Sequence, residues 1–421
     1  MAASVSTLNA SDKRSWFPFA LITSLFFFWG FVNNLDPILI PHLRQAFSLS
    51  YLQSSLIDSA VFIGYFLMAL PAGMIMKKYG YKSGIVLGLL LFGAGALLFI
   101  PAADTRQYIF FLIALFVIAT GLTLLETAAN PYATILGSPE TAAQRLNFAQ
   151  SFNGLGVVLA PLIGGKFILS EKTLSASERA LLSPEELARF ITAEASSVKL
   201  PYLILGLTIL AVAVLFLFTK LPDMIEQESK NNIAHVLKHK HLRWAVMAQL
   251  FYVGAQVCVV SFFINMATQT AGLSQQVAAT YLGLGYGLAF MSGRFAGTFF
   301  MRFIAPNKLL SVYALINIVL SAIAIFTEGM LTVYALIGIG FFMSIMFPTI
   351  FALGIVGLGN DTKLGSSLIV MSVVGGALLP PFMGYFSDLT GNIQNGYFIP
   401  MLCYIVVFFF GWKFYRPVPI T

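Results

Sequence analysis

The sequence predicts an all-α membrane protein: twelve transmembrane helices forming two pseudo-symmetric six-helix bundles. Composition, the spacing of apolar runs and an internal repeat carry that expectation. Of 421 residues, 58% are hydrophobic and only 10% charged, against about 25% charged in a typical soluble domain. So few charges cannot coat a water-soluble fold of this size. A spanning helix needs about 20 mostly apolar residues. Runs of that kind fall at 17–40, 52–76, 83–102, 107–132, 145–168, 200–219, 243–268, 277–300, 308–327, 330–356, 364–387 and 395–415.

The first run follows a polar stretch and continues to about Ile40. That is too long for the apolar region of a cleavable signal, so it reads as a span. Cys258 and Cys403 both lie in apolar runs and predict neither a disulfide framework nor a metal site. The net charge of +7 does not require a nucleic-acid partner, because the basic residues gather in alternate loops. With the N-terminus inside, the inner loops hold Lys77, Lys78, Lys82, Arg145, Lys220, Lys230, Lys238, Lys240, Arg243, Arg302, Lys308 and Lys363. The termini add Lys13, Arg14, Lys413 and Arg416. The outer loops hold Arg44, Arg106, Lys172, Arg179, Arg189 and Lys199. Lys and Arg resist translocation, so both ends are expected in the cytoplasm. Lys166 and Arg294 remain in or near spans, and Lys166 is expected to snorkel outward.

Two loops are long. Residues 220–242 are polar and basic, and they divide the chain into an N-terminal bundle (1–219) and a C-terminal bundle (243–421). His235, His239 and His241 are a possible metal cluster by spacing, but no carboxylate stands among them, so a solvated linker is expected rather than a metal site. Residues 169–199 are expected to carry a short amphipathic helix, opened by a capping pattern at Ser183 and Glu186. The halves repeat one another. NPYATILG (130–137) matches FPTIFALG (347–354). Gly156, Pro161 and Gly165 match Gly375, Pro380 and Gly384 at one offset. Gly73 and Lys78 match Gly297 and Arg302. Same-order repeats of six spans imply bundles related by an axis along the membrane normal.

Within the spans, acids stand out. A charge at mid-membrane costs at least about 2.5–3.5 kcal/mol on insertion scales, so a buried carboxyl is a candidate proton carrier, cation ligand or polar knot. Glu126 has Thr123, Thr127 and Asn130 near it at helical spacings, with Pro131 following. Asp36 follows Asn33 and Asn34 and precedes Pro37, which takes a donor from the helix ladder and favours local unwinding. The alternative for Asp36 is an acid wetted at the outer end of its span. Asp58, early in the second span, is expected to face outside water. Asn147, Gln150 and Asn153 share a face of the fifth span; Gln249 and Gln256 share one on the seventh, with Tyr252 beside them. Such amides offer donors and acceptors to a hydroxyl-rich ligand, or join helices. Trp29, Tyr252 and Tyr286 are candidates for stacking on a ring or for plain packing. No GxSxG nucleophile and no GxxxxGK[ST] phosphate loop occurs, so the sequence does not read as an enzyme or an ATP-driven pump.

These segments resemble the fucose–proton symporter family of the major facilitator superfamily. The resemblance rests on FFFWGFVNNLDPILIP (26–41), LPAGMIMKKYGYKSGI (70–85), GLTLLETAANPYATILG (121–137), RLNFAQSFNGLG (145–156), RWAVMAQLFYVGAQ (243–256), SGRFAGTFFMRFIAPNKLL (292–310), FPTIFALGI (347–355) and DTKLGSSLIVMSVVGGALLPPFMG (361–384). Together they cover most of the chain, and the ETAANP and RLNFAQSFN stretches are specific to the family.

The resemblance implies the major facilitator fold and sugar uptake by alternating access, coupled to protons. No cofactor is implied beyond the coupling ion, with sodium the open alternative to H+. Glu126 matches the family's fourth-helix acid, Asn34, Gln150 and Asn153 match polar residues of the sugar site, and Trp29 matches an aromatic near the sugar. Asn33, Asn130, Gln256 and Phe347 complete the candidate site. Three departures stand out. Pro37 occupies the place of the family's first-helix acid, with Asp36 one residue earlier, about 100° round an ideal helix. Phe347 replaces a tyrosine, and Lys77 stands where the superfamily usually has an acid. The substrate is therefore expected to be a hexose such as fucose, glucose or galactose, or N-acetylglucosamine. A monomer in the bacterial inner membrane is expected, with a lipid or drug carrier and a transporter-like sensor as other classes.

Overall fold

A computed structural model describes residues 16–136, 142–170, 178, 181–219, 221, 233–358 and 361–416. Lys13, Arg14, Gly137, Lys172, Arg179, Lys220 and Lys230 lie outside the described residues. The described residues are helical apart from short connections, with no strand among them. Among the described residues, eleven helices are long and apolar enough to cross a membrane. The segment expected as the eighth span is also helical from end to end, but in pieces: Gln275–Thr280, a π-helical stretch Tyr281–Gly287, and Leu288–Phe300. The outer surface exposes large apolar residues such as Phe218, Phe295 and Phe326. Such a surface suits hydrocarbon and would associate in water.

Several spans are broken, and the break in the first has a local cause. The first span runs Trp16–Asn33 and resumes at Asp36–Phe47, with Pro37 in the first turn of the second piece. Proline has no N–H to donate and its fixed φ suits a helix start. The seventh span is also divided, into Lys240–Ser261 and Phe263–Ala271, with no proline at the break. The tenth divides into Met330–Met343 and Met346–Ile355. The amphipathic helix Pro184–Ser197 forms as expected. Ser183 Oγ accepts from the Glu186 amide at 3.3 Å, and the Ser183 amide donates to Glu186 Oε2 at 2.9 Å. Its buried Glu194 bonds Ser170 and lies 3.4 Å from the His42 ring, which pins the helix over one end of the first span.

The repeated glycines do matching work in the two halves. A Cβ on Gly156 would strike the backbone at Gly30 and Phe31, and one on Gly30 would strike that of Asn153. The first and fifth spans (Ala142–Phe167) therefore touch backbone to backbone. The counterpart Gly375, in the eleventh span, meets the Leu250 backbone of the seventh in the same way. One register further on, Gly165 faces Ala279 of the eighth span, and Gly384 faces the Tyr51 and Leu52 backbone of the second span, Tyr51–Tyr79. The first matched pair thus packs within its own half on each side, and the second packs each half against the other. Gly73 and Gly297 share no such role, for a Cβ on Gly73 would meet open space while one on Gly297 would strike Ile345.

Residues before Phe218 and after Lys240 are joined at the end of the molecule away from the described termini. The Tyr51 and Leu52 amides, at the start of the second span, donate to Asp388 Oδ1 and Oδ2 at 2.7 and 2.8 Å. A carboxylate at a helix N-terminus is well placed, because unpaired amides and the helix dipole both favour it. Tyr51 Oη donates to Gln269 Oε1 at 3.1 Å, Gln275 Nε2 to Gln45 Oε1 at 3.3 Å, and Gln276 Nε2 to the Leu169 carbonyl at 3.1 Å. Arg44 lies over the Tyr51 ring, 3.7 Å from its centre.

The packing makes two expectations concrete. Gly156→Leu places a side chain where only backbone fits, and overpacking of that kind costs about 1–3 kcal/mol; thermal unfolding in detergent should show a lower midpoint, whereas Gly73→Leu should not. Asp388→Ala removes the carboxylate from the second span's N-terminus, an interaction worth about 1 kcal/mol. Solvent access at that end, read by cysteine labelling, should rise about fivefold.

Candidate transport site

The centre of the molecule is built on the first, second and fourth spans. The fourth, Tyr108–Ile135, is unbroken. Its hydroxyls turn onto their own helix: Thr123 donates to the Ala119 carbonyl at 2.8 Å and Thr127 to that of Thr123 at 2.7 Å. Asn130 Nδ2 reaches the Glu126 carbonyl at 3.1 Å. The neighbours that the sequence places around Glu126 thus bond backbone, and the Glu126 carboxyl makes no hydrogen bond among the described residues. It lines a small hollow with Leu25, Phe26, Trp29, Leu125 and Ala129. An apolar hollow holding one unengaged carboxyl provides a place where a proton or a ligand hydroxyl gains a partner that the protein itself withholds.

Trp29 stands across that hollow. Its indole N–H donates to Tyr65 Oη at 2.7 Å, and Asn33 Nδ2 donates to the same oxygen at 3.3 Å. Tyr65, on the second span, lies within electrostatic reach of Glu126 and Asp36. The sequence reading missed Tyr65, since a lone tyrosine in a chain this aromatic carries no signal. Only its four-sided setting of Trp29, Asn33, Asp36 and Glu126 marks it. Asn34 folds back, its Nδ2 donating to the Gly30 carbonyl at 2.7 Å.

The other candidates divide. Gln150, Asn153 and Gln256 are at least partly accessible and make no hydrogen bond among the described residues, so their amides are available to a ligand. Nothing is described of the Asn147 side chain. Tyr252 and Tyr286 are buried, and their hydroxyls donate to the Met343 carbonyl and sulfur, each at 3.2 Å; both are packing residues here. Phe347 packs edge-on against Tyr252, ring centres 6.4 Å apart. Gln249 is buried with neither amide atom paired. Arg294 reaches the Ser344 carbonyl at 3.4 Å and lies over the Phe290 ring, and Lys166 is exposed at the end of the fifth span.

Three expectations change. Asp36 is not wetted at a span end, for it is 6% exposed, in the first turn after the break. Asp58 does not face outside water. It is 1% exposed, and Ser261 of the seventh span donates to its Oδ1 at 2.8 Å. The linker histidines do have a carboxylate: His235 Nδ1 and His239 Nε2 lie 3.1 and 3.2 Å from Asp361 Oδ2. Asp361 is far away in sequence, so loop composition could not reveal it. Among the described residues no group of histidine, cysteine and acids could hold a metal ion.

An all-helical membrane bundle with matched halves, a polar centre and contacts between halves gathered at one end is a solute transporter rather than an enzyme. The chain belongs to the Major Facilitator Superfamily, whose model matches residues 21–363. It is 43% identical to the L-fucose-proton symporter of Escherichia coli over 414 residues, covering 96% of this chain and 94% of that protein. It is 42% identical to a glucose/galactose transporter of Brucella abortus, covering 98% of each. Among solved structures, the transporter FucP in its outward conformation matches with a TM-score of 0.69 at 43% identity, covering 96% of this chain and 99% of that one. A bacterial homologue of the lysosomal transporter Spinster shares the fold, with a TM-score of 0.76 at 16% identity.

The Trp29–Tyr65 bond can be measured directly. A double-mutant cycle of Trp29→Phe and Tyr65→Phe, followed by thermal unfolding, should return a coupling of about 1 kcal/mol.

Proposed function

We propose that this chain imports a monosaccharide by proton symport through alternating access. The observation that carries the proposal is the unpartnered Glu126 carboxyl, sharing a hollow with Trp29 in a chain 43% identical to an L-fucose-proton symporter. In the cycle, Glu126 takes a proton from the outside. Sugar then binds among Trp29, Asn34, Gln150, Asn153 and Gln256, with Asn33, Asn130 and Phe347 at the margins. The two halves, 1–219 and 243–421, rock about the site on the 220–242 linker, and the proton and sugar leave inward. Both termini lie in the cytoplasm of a bacterial inner membrane, and the monomer is the working unit.

A proton is a fitting coupling ion for Glu126. Burial disfavours the charged form of a carboxyl, and no cationic side chain pairs with it among the described residues. Binding a proton and binding a sugar hydroxyl at one oxygen then reinforce each other, because the neutral acid can donate where the carboxylate can only accept. Asp36 serves beside it. Its placement after the break differs from the family position now held by Pro37, so it tunes coupling rather than replacing Glu126. The candidate sugars are hexoses, with fucose, glucose and galactose first among them because relatives at 43% and 42% identity are named for those sugars. Phe347 supplies an apolar edge where a tyrosine would offer a hydroxyl.

In proteoliposomes, Glu126→Gln should exchange sugar across the membrane yet fail to accumulate it against a gradient; accumulation by the variant rejects the proton role. Thermal stabilisation by a panel of sugars, with and without sodium across pH, identifies substrate and ion together. Stabilisation that needs sodium and ignores pH would replace proton coupling with sodium coupling. Asp36→Asn should shift the pH profile of uptake or weaken sugar affinity.

A further inference from the structure

Asp58 is the buried acid that the site above does not use. It lies in the second span about 10 Å below Tyr51, at 1.5 Å per residue, where that span meets the seventh and eleventh. Its Oδ1 accepts from Ser261 Oγ at 2.8 Å, across the junction of the two halves. Its Oδ2 is buried and has no hydrogen-bond partner. The adjacent hydroxyls are turned away: Ser54 donates to the Tyr51 carbonyl at 2.9 Å, Ser55 to that of Leu52 at 2.7 Å, and Ser59 to that of Ala377 at 2.8 Å. The ring of Phe62 fills the neighbouring space against Gly376. Among the described residues no lysine, arginine or histidine pairs with Asp58. Other ionisable groups face it from the packed elements: Asp36 of the first span, Tyr108 of the fourth and Cys258 of the seventh. Asp388 of the eleventh is engaged by the Tyr51 and Leu52 amides nearer the surface.

This arrangement makes closure of the outer end depend on the state of one carboxyl. Burying an ionised carboxylate with one oxygen unsatisfied is costly, and burying the acid is far less so. We propose that Asp58 is a proton-operated latch between the halves: the outer end closes when Asp58 has taken a proton from outside, and reopens as the proton is lost. The step is simple proton binding, in which the carboxylate becomes the carboxylic acid. Ser261 then holds the acid across the junction. Its failure is distinguishable from failure of the sugar-symport reading on which it rests, because the latch is read by access to the outer end with no sugar present. Glu126 carries the coupling proton, whereas Asp58 sets when the outer end is shut.

The test uses the full chain in right-side-out vesicles, with Gln45→Cys as a reporter. Gln45 is 8% exposed beneath Gln275 at the closed end. Labelling by a membrane-impermeant maleimide, normalised to the same thiol in unfolded protein and corrected for the chain without the reporter, should fall as outside pH falls. One proton limits that fall to about tenfold per pH unit. With Asp58→Asn added, labelling should stay low and flat across the range. With Glu126→Gln or Asp36→Asn added instead, the pH response should persist. Ser261→Ala, a mild change that removes the hydroxyl across the junction, should raise labelling at low pH. It keeps the proposal testable if Asp58→Asn does not fold. A pH response unchanged by Asp58→Asn, or abolished by Asp36→Asn alone, or labelling at low pH unaltered by Ser261→Ala, overturns the latch.

Discussion

Hydrocarbon gives no hydrogen bonds, and the rest of this structure follows from that. Every backbone amide and carbonyl in a span must be satisfied from within the protein, so the described spans are helix. Hydroxyls obey the same constraint by bonding the carbonyl four residues back, as Thr123 and Thr127 do. Without a hydrophobic drive between helices in lipid, close approach must hold the spans together. Gly30 with Gly156, and Gly375 against Leu250, supply it in each half.

Against that background, unsatisfied polar groups become meaningful. Glu126 opens onto a hollow and makes no bond among the described residues, while Asp58 is shut between the halves with one oxygen unpaired. The two acids sit in different mechanical settings. Glu126 is held on an unbroken helix, where the proposed proton would alter what the site can bind. Asp58 lies on the junction with the seventh span, where the proposed proton would alter which shape is favoured. On the proposed reading, one fold separates loading of the site from closing of the entrance.

The breaks in the first and seventh spans belong to the same picture. Each divides the leading helix of its half, and lets the short pieces Asp36–Phe47 and Phe263–Ala271 carry contacts between halves such as those of Gln45 and Gln269. The π-helical stretch in the eighth span lies beside the fifth and sets Gly283 and Gly287 against the backbone at Val158 and Val157. Close packing at the junction is thus achieved by irregular helix rather than by straight rods.

The sequence by itself determined the membrane class and the places of the spans, and it singled out the six-plus-six repeat and Glu126. Those features are local or periodic: run length, glycine offset, and a charge where charge is costly. It also foresaw the break before Pro37, because proline acts on its own helix. Only the tertiary structure decided what depends on which helices face one another. It put Tyr65 between Trp29 and Asn33, gave the linker histidines Asp361, took Tyr252 and Tyr286 into packing, and moved Asp58 from an expected wet surface to the seam between halves. Each of these rests on a partner tens to hundreds of residues away, and the position of a residue along its own span does not record which neighbour will close over it.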